Sequence, residues 1–107
     1  PPLHTHANEE EFFRGRDGEM AFHVGRRTTP ATEGQTAFVP RGVPHCFKNT
    51  SKRESRILVV FTPGNIEGFF EYGNLAPGVA PSDELLLGRL SSFAPRYGLQ
   101  VLGPSPL

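Results

Sequence analysis

Two histidines separated by one residue, His4 and His6, open this chain, Glu11 follows five positions later, and a third histidine, His45, arrives after a Pro-x-Gly turn. Any fold of the chain has to accommodate the meeting of that set at one point. In an extended strand successive side chains alternate faces, so His4 and His6 point the same way and present two imidazoles to one ion. Glu11 adds an anionic oxygen. Imidazole nitrogen with carboxylate oxygen suits first-row divalent metals, and two histidines with one carboxylate leave positions open for oxygen chemistry. His45 supplies the fourth protein ligand.

The spacing carries more information than the residue types. After His4-x-His6 come four residues, Glu11, six residues and Gly18; a second segment reads Gly34-Gln-Thr-Ala-Phe-Val-Pro-Arg-Gly-Val-Pro-His-Cys-Phe-Lys-Asn49. In these two segments the chain resembles the cupin superfamily, whose two motifs have this layout. The second segment matches at every defining position. What the resemblance implies is an all-β fold, a small jelly-roll-type barrel with one divalent transition metal (Fe, Mn, Ni, Co or Zn) inside, held by His4, His6, Glu11 and His45. The family spaces its carboxylate in a way that also admits Glu10, but only Glu11 gives the six-residue step to Gly18.

Length and charge are consistent with one compact domain. A chain of 107 residues has room for a single core. Gly 12 and Pro 11 fit many short strands joined by tight turns. The formal net charge is +0 and no basic run extends beyond Arg26-Arg27, which makes nucleic acid a poor partner. The single cysteine, Cys46, excludes an intrachain disulfide and fits a reducing compartment. Next to His45 in a strand, it faces away from the metal as a buried or interface thiol. With no long apolar run and no charged-then-apolar leader, a soluble cytoplasmic protein is expected.

Strand signals fill the first part of the chain. Phe12-Phe13, Glu19 to Val24, Arg27 to Thr29, Thr36 to Val39, His45 to Asn49 and Arg56 to Phe61 read as strands, separated by turn chemistry at Asp17-Gly18, Gly25, Pro30 to Gly34 and Pro40 to Pro44. After Thr62-Pro63-Gly64 the period changes. Ile66, Phe69 and Phe70 predict a short amphipathic helix, and Ser82-Asp83-Glu84 starts a second one with Leu85, Leu86, Leu87, Leu90 and Phe93 as its apolar stripe and Gly98 as its stop. The expected organisation is a barrel over 1–63 and a helical tail over 64–107.

The order Phe-Thr-Pro-Gly, then Glu-Gly-Phe-Phe, then Arg-Tyr-Gly is similar to the tails of single-domain cupins related to bacterial quercetin dioxygenases. This resemblance implies a metal-dependent dioxygenase acting on a small oxygenated organic molecule, flavonol- or enol-like, with Glu11 also taking a proton from the substrate. A metal-dependent isomerase or lyase, and a non-catalytic small-molecule sensor, are the competing readings, because a widely reused fold does not fix function.

Two departures from the family pattern bear on the fold. Pro1 lies only three positions before His4, so the strands that lead into the first motif are expected to be missing: either the chain is a fragment, or a second subunit covers the strand edge left open, and a homodimer is expected. Where the family carries an apolar run before Gly18, this chain has Arg14-Gly15-Arg16, and Gly15, on the face of Glu11 and Phe13, either enlarges the cavity or marks an irregular strand. His23 reads as a core or surface histidine. Tyr72 and Tyr97 read as packing residues, Phe38, Phe47 and Phe61 as core, and Arg41 as a solvated turn residue.

Overall fold

The structure, a computed structural model, describes residues 1–69, 88, 92 and 94–107. Eight strands are present among them: β1 (Leu3–His6), β2 (Glu10–Asp17), β3 (Met20–Val24), β4 (Arg27–Ala31), β5 (Thr36–Val39), β6 (His45–Asn49), β7 (Arg56–Thr62) and β8 (Leu99–Gly103). They form a five-stranded sheet in the order β4-β3-β6-β1-β8 and a three-stranded sheet in the order β5-β2-β7. Every pairing is antiparallel. This is the small all-β barrel that the resemblance implies.

Period-2 alternation explains how the sheets face each other. Along β2, Glu11, Phe13 and Gly15 are buried while Phe12, Arg14 and Arg16 are exposed, so one face turns inward and the other meets solvent. Met20 and Phe22 of β3 point into the same interior, where Phe13 and Phe22 stack with ring centroids 4.9 Å apart. Both rings are essentially fully buried, which stabilises the fold by roughly 2–3 kcal/mol each. Ala31 and Val39 complete this buried cluster, with Phe47, Ile57 and Val59 against it.

Several local expectations are corrected. Leu99–Gly103, assigned from sequence to the helical tail, is a strand, and it pairs with β1 through Leu3↔Gly103, His4↔Val101, Thr5↔Gln100 and His6↔Leu99. Strand β1 thus sits between β6 and β8, and the outer strands are β4 and β8 in the larger sheet and β5 and β7 in the smaller. Of the two readings of Gly15, the enlarged cavity fails and the irregular strand holds. A Cβ there would collide with the Thr32 carbonyl oxygen, and the register of β2 against β7 shifts between Gly15 and Asp17, the signature of a bulge. Strand β4 runs on through Pro30 to Ala31, which an edge strand tolerates because a proline needs no ladder partner there. Phe38 is 52% exposed instead of lying in the core.

The tail is only partly described. Residues 67–69 are helical, as the first predicted helix requires, and Ile66 before them is buried. Phe70, Tyr72 and the second helix's apolar stripe lie outside the described residues. A 3-10 turn, Ala94–Tyr97, ends at Gly98, whose φ of +69° suits a glycine stop. Tyr97 packs its ring on Phe69 at 6.0 Å, the packing role expected of it. Among the described residues no helix is long and apolar enough to cross a membrane.

Candidate metal centre

The two sheets bring the four sequence-predicted ligands together. His4 and His6 are the alternate inward residues of β1, and His45, at the start of β6, pairs directly with His4 in the ladder. Glu11 comes from the opposing sheet, where β2 lies between Val39 of β5 and Phe61 of β7. All four are buried. One donor atom from each residue lies within 4.8 Å of the others. The turn Pro40 to Pro44 is what delivers His45: Gly42, at φ +78°, donates its N–H to the His6 carbonyl at 2.8 Å.

Hydrogen bonding on the far side of each ring fixes which nitrogen faces the centre. His4 Nδ1 lies 2.7 Å from the Pro2 carbonyl and His45 Nδ1 lies 2.9 Å from the Val43 carbonyl. A carbonyl only accepts, so in both rings Nδ1 carries the proton and Nε2 presents a lone pair. His6 Nε2 and His45 Nε2 converge on one oxygen of Glu11, at 3.0 and 2.5 Å. Neither His45 Nε2 nor Glu11 Oε2 has a hydrogen-bond partner among the described residues, although both are buried. Buried acceptors aimed at one point without donors between them are what a cation satisfies. His4, His6, Glu11 and His45 can therefore hold one divalent ion.

The electrostatics agree with that donor set. Burial, reinforced by the neighbouring His45, holds His4 down at about 4, so the ring is neutral and able to ligate at physiological pH. Burial opposes ionisation of Glu11, but the His45 and His6 contacts outweigh it and bring the carboxyl down to about 2. An anionic oxygen and three imidazoles make a chemically reasonable donor set for first-row divalent metals.

Glu9 was missed at the sequence level, where the run Glu9-Glu10-Glu11 reads as surface charge. It is buried, and its Oε1 lies 4.0 Å from His6 Nδ1. Neither atom has a hydrogen-bond partner among the described residues, and 4.0 Å is too long for a direct hydrogen bond. With Nε2 of His6 turned to the centre, Nδ1 faces the Glu9 carboxyl, the type of outer partner that orients metal-bound histidines. Burial raises the Glu9 carboxyl above its ordinary range. A signal was available, since Glu9 and Glu11 differ by two positions and extended chain places them on the same side. Glu10, by contrast, is partly exposed and faces Arg41 at 3.9 Å, which places it outside the centre.

A cavity of about 210 Å3 opens onto His4, His6 and Glu11. Its other walls are apolar: Phe13, Phe47, Val59, Phe61, Phe69, Leu99 and Val101, with Pro1 and Pro2. Phe61 also sets its ring edge-on to His6 at 5.6 Å. His23 lies outside the centre, hydrogen-bonded to Thr28 Oγ1 at 2.8 Å. Cys46 is buried beside Ser105, where it has no place in the donor cluster.

The cupin domain profile matches residues 1–61, more than half of the chain. The chain belongs to the cupin family. Among solved structures it is similar to TT1209 from Thermus thermophilus, at 30% identity and a TM-score of 0.56, over 59% of this chain and 60% of that one. No curated protein matches it. It is thus a cupin domain with a buried three-histidine, one-carboxylate cluster fit for a metal ion.

Proposed function

We propose that this cupin is a metal-dependent dioxygenase acting on a small, enolisable organic molecule. The observation that carries the reading is the placement of the donor cluster at the end of an apolar cavity, with His4, His6 and Glu11 on its wall. A divalent transition metal bound by the four residues would bring substrate oxygen and O2 together at its open positions. The protein's own part is to hold that centre in a water-poor, aromatic-walled space and to accept a proton from the substrate.

Glu11 is the only carboxylate on the wall of the cavity among the described residues, so the acceptor role falls to it. An acidic enol or β-diketone gives up its proton to a carboxylate more readily than a simple alcohol does. Size points the same way: a cavity of about 150 Å3 in another protein holds one benzene ring, so about 210 Å3 suits one ring or a short chain better than a three-ring flavonol.

An oxygen electrode tests the reading. Metal-loaded protein given a panel of cyclic and acyclic β-diketones is expected to consume one O2 per substrate, with three-ring flavonols slower. Substrate loss at the same rate without O2 would instead indicate an isomerase or lyase. Saturable binding with no turnover of any member would indicate a sensor.

A further inference from the structure

Four of the five large apolar side chains exposed among the described residues share one surface. Phe12 (37%), Phe38 (52%), Leu58 (45%) and Val60 (45%) all lie on the outer face of the β5-β2-β7 sheet. Phe12 pairs with Phe38 on one side and with Val60 on the other, so three of them form a row straight across the strands. Leu58 lies one inter-residue step along the same face, opposite Arg14. Isolated exposed apolar residues are ordinary, whereas a contiguous patch marks an interaction site.

We propose that this face docks a second copy of the chain, sheet on sheet, as a twofold dimer. Charge selects the partner and the axis. On β2 the outward residues run Glu10, Phe12, Arg14 and Arg16, with acid at one end of the apolar row and base at the other. A twofold axis lying in the interface, across the strands at the level of Phe12, reverses β2 of one copy over β2 of the other. Phe12 then packs on the partner's Phe12, and Glu10 and Arg14 meet the partner's Arg14 and Glu10. An axis along the strands would stack Glu10 on Glu10 and Arg14 on Arg14, which like charges oppose. The face is self-complementary in one orientation only, as an isologous interface requires. Glu10 is shared with Arg41 at 3.9 Å, a loose contact between half-exposed groups that docking can replace. Glu11 points from the opposite face of β2, and His4, His6 and His45 belong to the other sheet, so docking leaves the cavity open.

Light scattering and analytical ultracentrifugation across a concentration series provide the test. The protein is expected to run as a dimer, and Phe12→Lys as a monomer that still takes up one metal ion. Glu10→Arg and Arg14→Glu should each raise the dimer dissociation constant about tenfold, because symmetry places each change at two contacts. Combined in one chain they should restore it. A wild-type monomer at 100 µM (about 1 mg/ml), or a dimer indifferent to Phe12→Lys, overturns the proposal. Should Phe12→Lys fail to fold, the charge exchange decides: a double variant as weak as the singles overturns the assigned axis and with it the proposed interface.

Discussion

At the scale of single residues, the centre is set by atoms that do not face it. The Pro2 and Val43 carbonyls bind the Nδ1 atoms of His4 and His45, and this leaves the Nε2 lone pairs for the ion. Glu9 lies on the corresponding side of His6, its Oε1 4.0 Å from Nδ1, beyond direct hydrogen-bond distance. Replacing Glu9 by Met keeps the volume but removes the acceptor, and is expected to weaken Co2+ or Ni2+ binding about 10–100-fold, measured by competition titration. An unchanged affinity would show that Glu9 does not orient the ring. Glu11→Gln separates ligand from base: an amide oxygen still coordinates but does not accept a proton at neutral pH. Reloaded with metal, that variant should bind substrate and lose turnover by about 10²–10⁴-fold. Near-normal turnover would confine Glu11 to coordination. The four ligands were legible because alternation and motif spacing fix them independently. Glu9 was not, because three consecutive glutamates resemble a solvated run unless their parity in the strand is followed.

At the scale of elements, the strands bounded by turn residues and rich in β-branched and aromatic side chains were readable, and β8 was not. The strands Met20–Val24, Thr36–Val39, His45–Asn49 and Arg56–Thr62 match their expected positions within a residue or two. Strand β8 carries its own alternation, with Leu99 and Val101 turned toward the cavity, but it is short and follows a segment with helical periodicity, so its pairing with β1 depends on contacts far apart in sequence. Gly15 shows the same limit. A glycine inside a strand signals a close approach, and only the fold reveals that the Thr32 backbone is what approaches. Gly15→Ala is accordingly expected to destabilise the domain by roughly 1–3 kcal/mol in urea unfolding, through overpacking against a backbone oxygen that cannot move freely. A change within about 0.5 kcal/mol, the range of ordinary surface substitutions, would mean that the loop yields.

For the whole molecule, a buried site built from titratable groups ties stability to pH. In the metal-free protein His4 is lowered from 6.5 to about 4, so as pH falls from 6.5 toward 4 the unfolded chain takes up a proton that the folded chain refuses. Stability falls across that window. Glu11 is lowered from 4.5 to about 2; its contribution is complete above 4.5 and is lost as pH falls toward 2. Both terms have the same sign, each on the order of 3 kcal/mol. Urea unfolding of the metal-free protein should therefore show lower stability at pH 4.5 than at pH 7, and a flat profile would contradict the burial of His4. The assembly expected from sequence keeps its place as a proposal with a different physical basis. Its basis in the sequence was an uncovered strand edge; in the fold β1 lies between β6 and β8, and the proposal rests instead on the apolar outer face of the smaller sheet.

The central claim is that His4, His6, Glu11 and His45 converge on one ion. Elemental analysis of the purified protein beside a His6→Ala, His45→Ala double variant tests it most directly, after both have been exposed to the same divalent metal and desalted. The expected result is one ion per chain in the wild type, with nitrogen and oxygen donors at about 2.0–2.2 Å by X-ray absorption, and none retained by the variant. One ion per chain in a folded double variant would place the metal elsewhere and contradict the site.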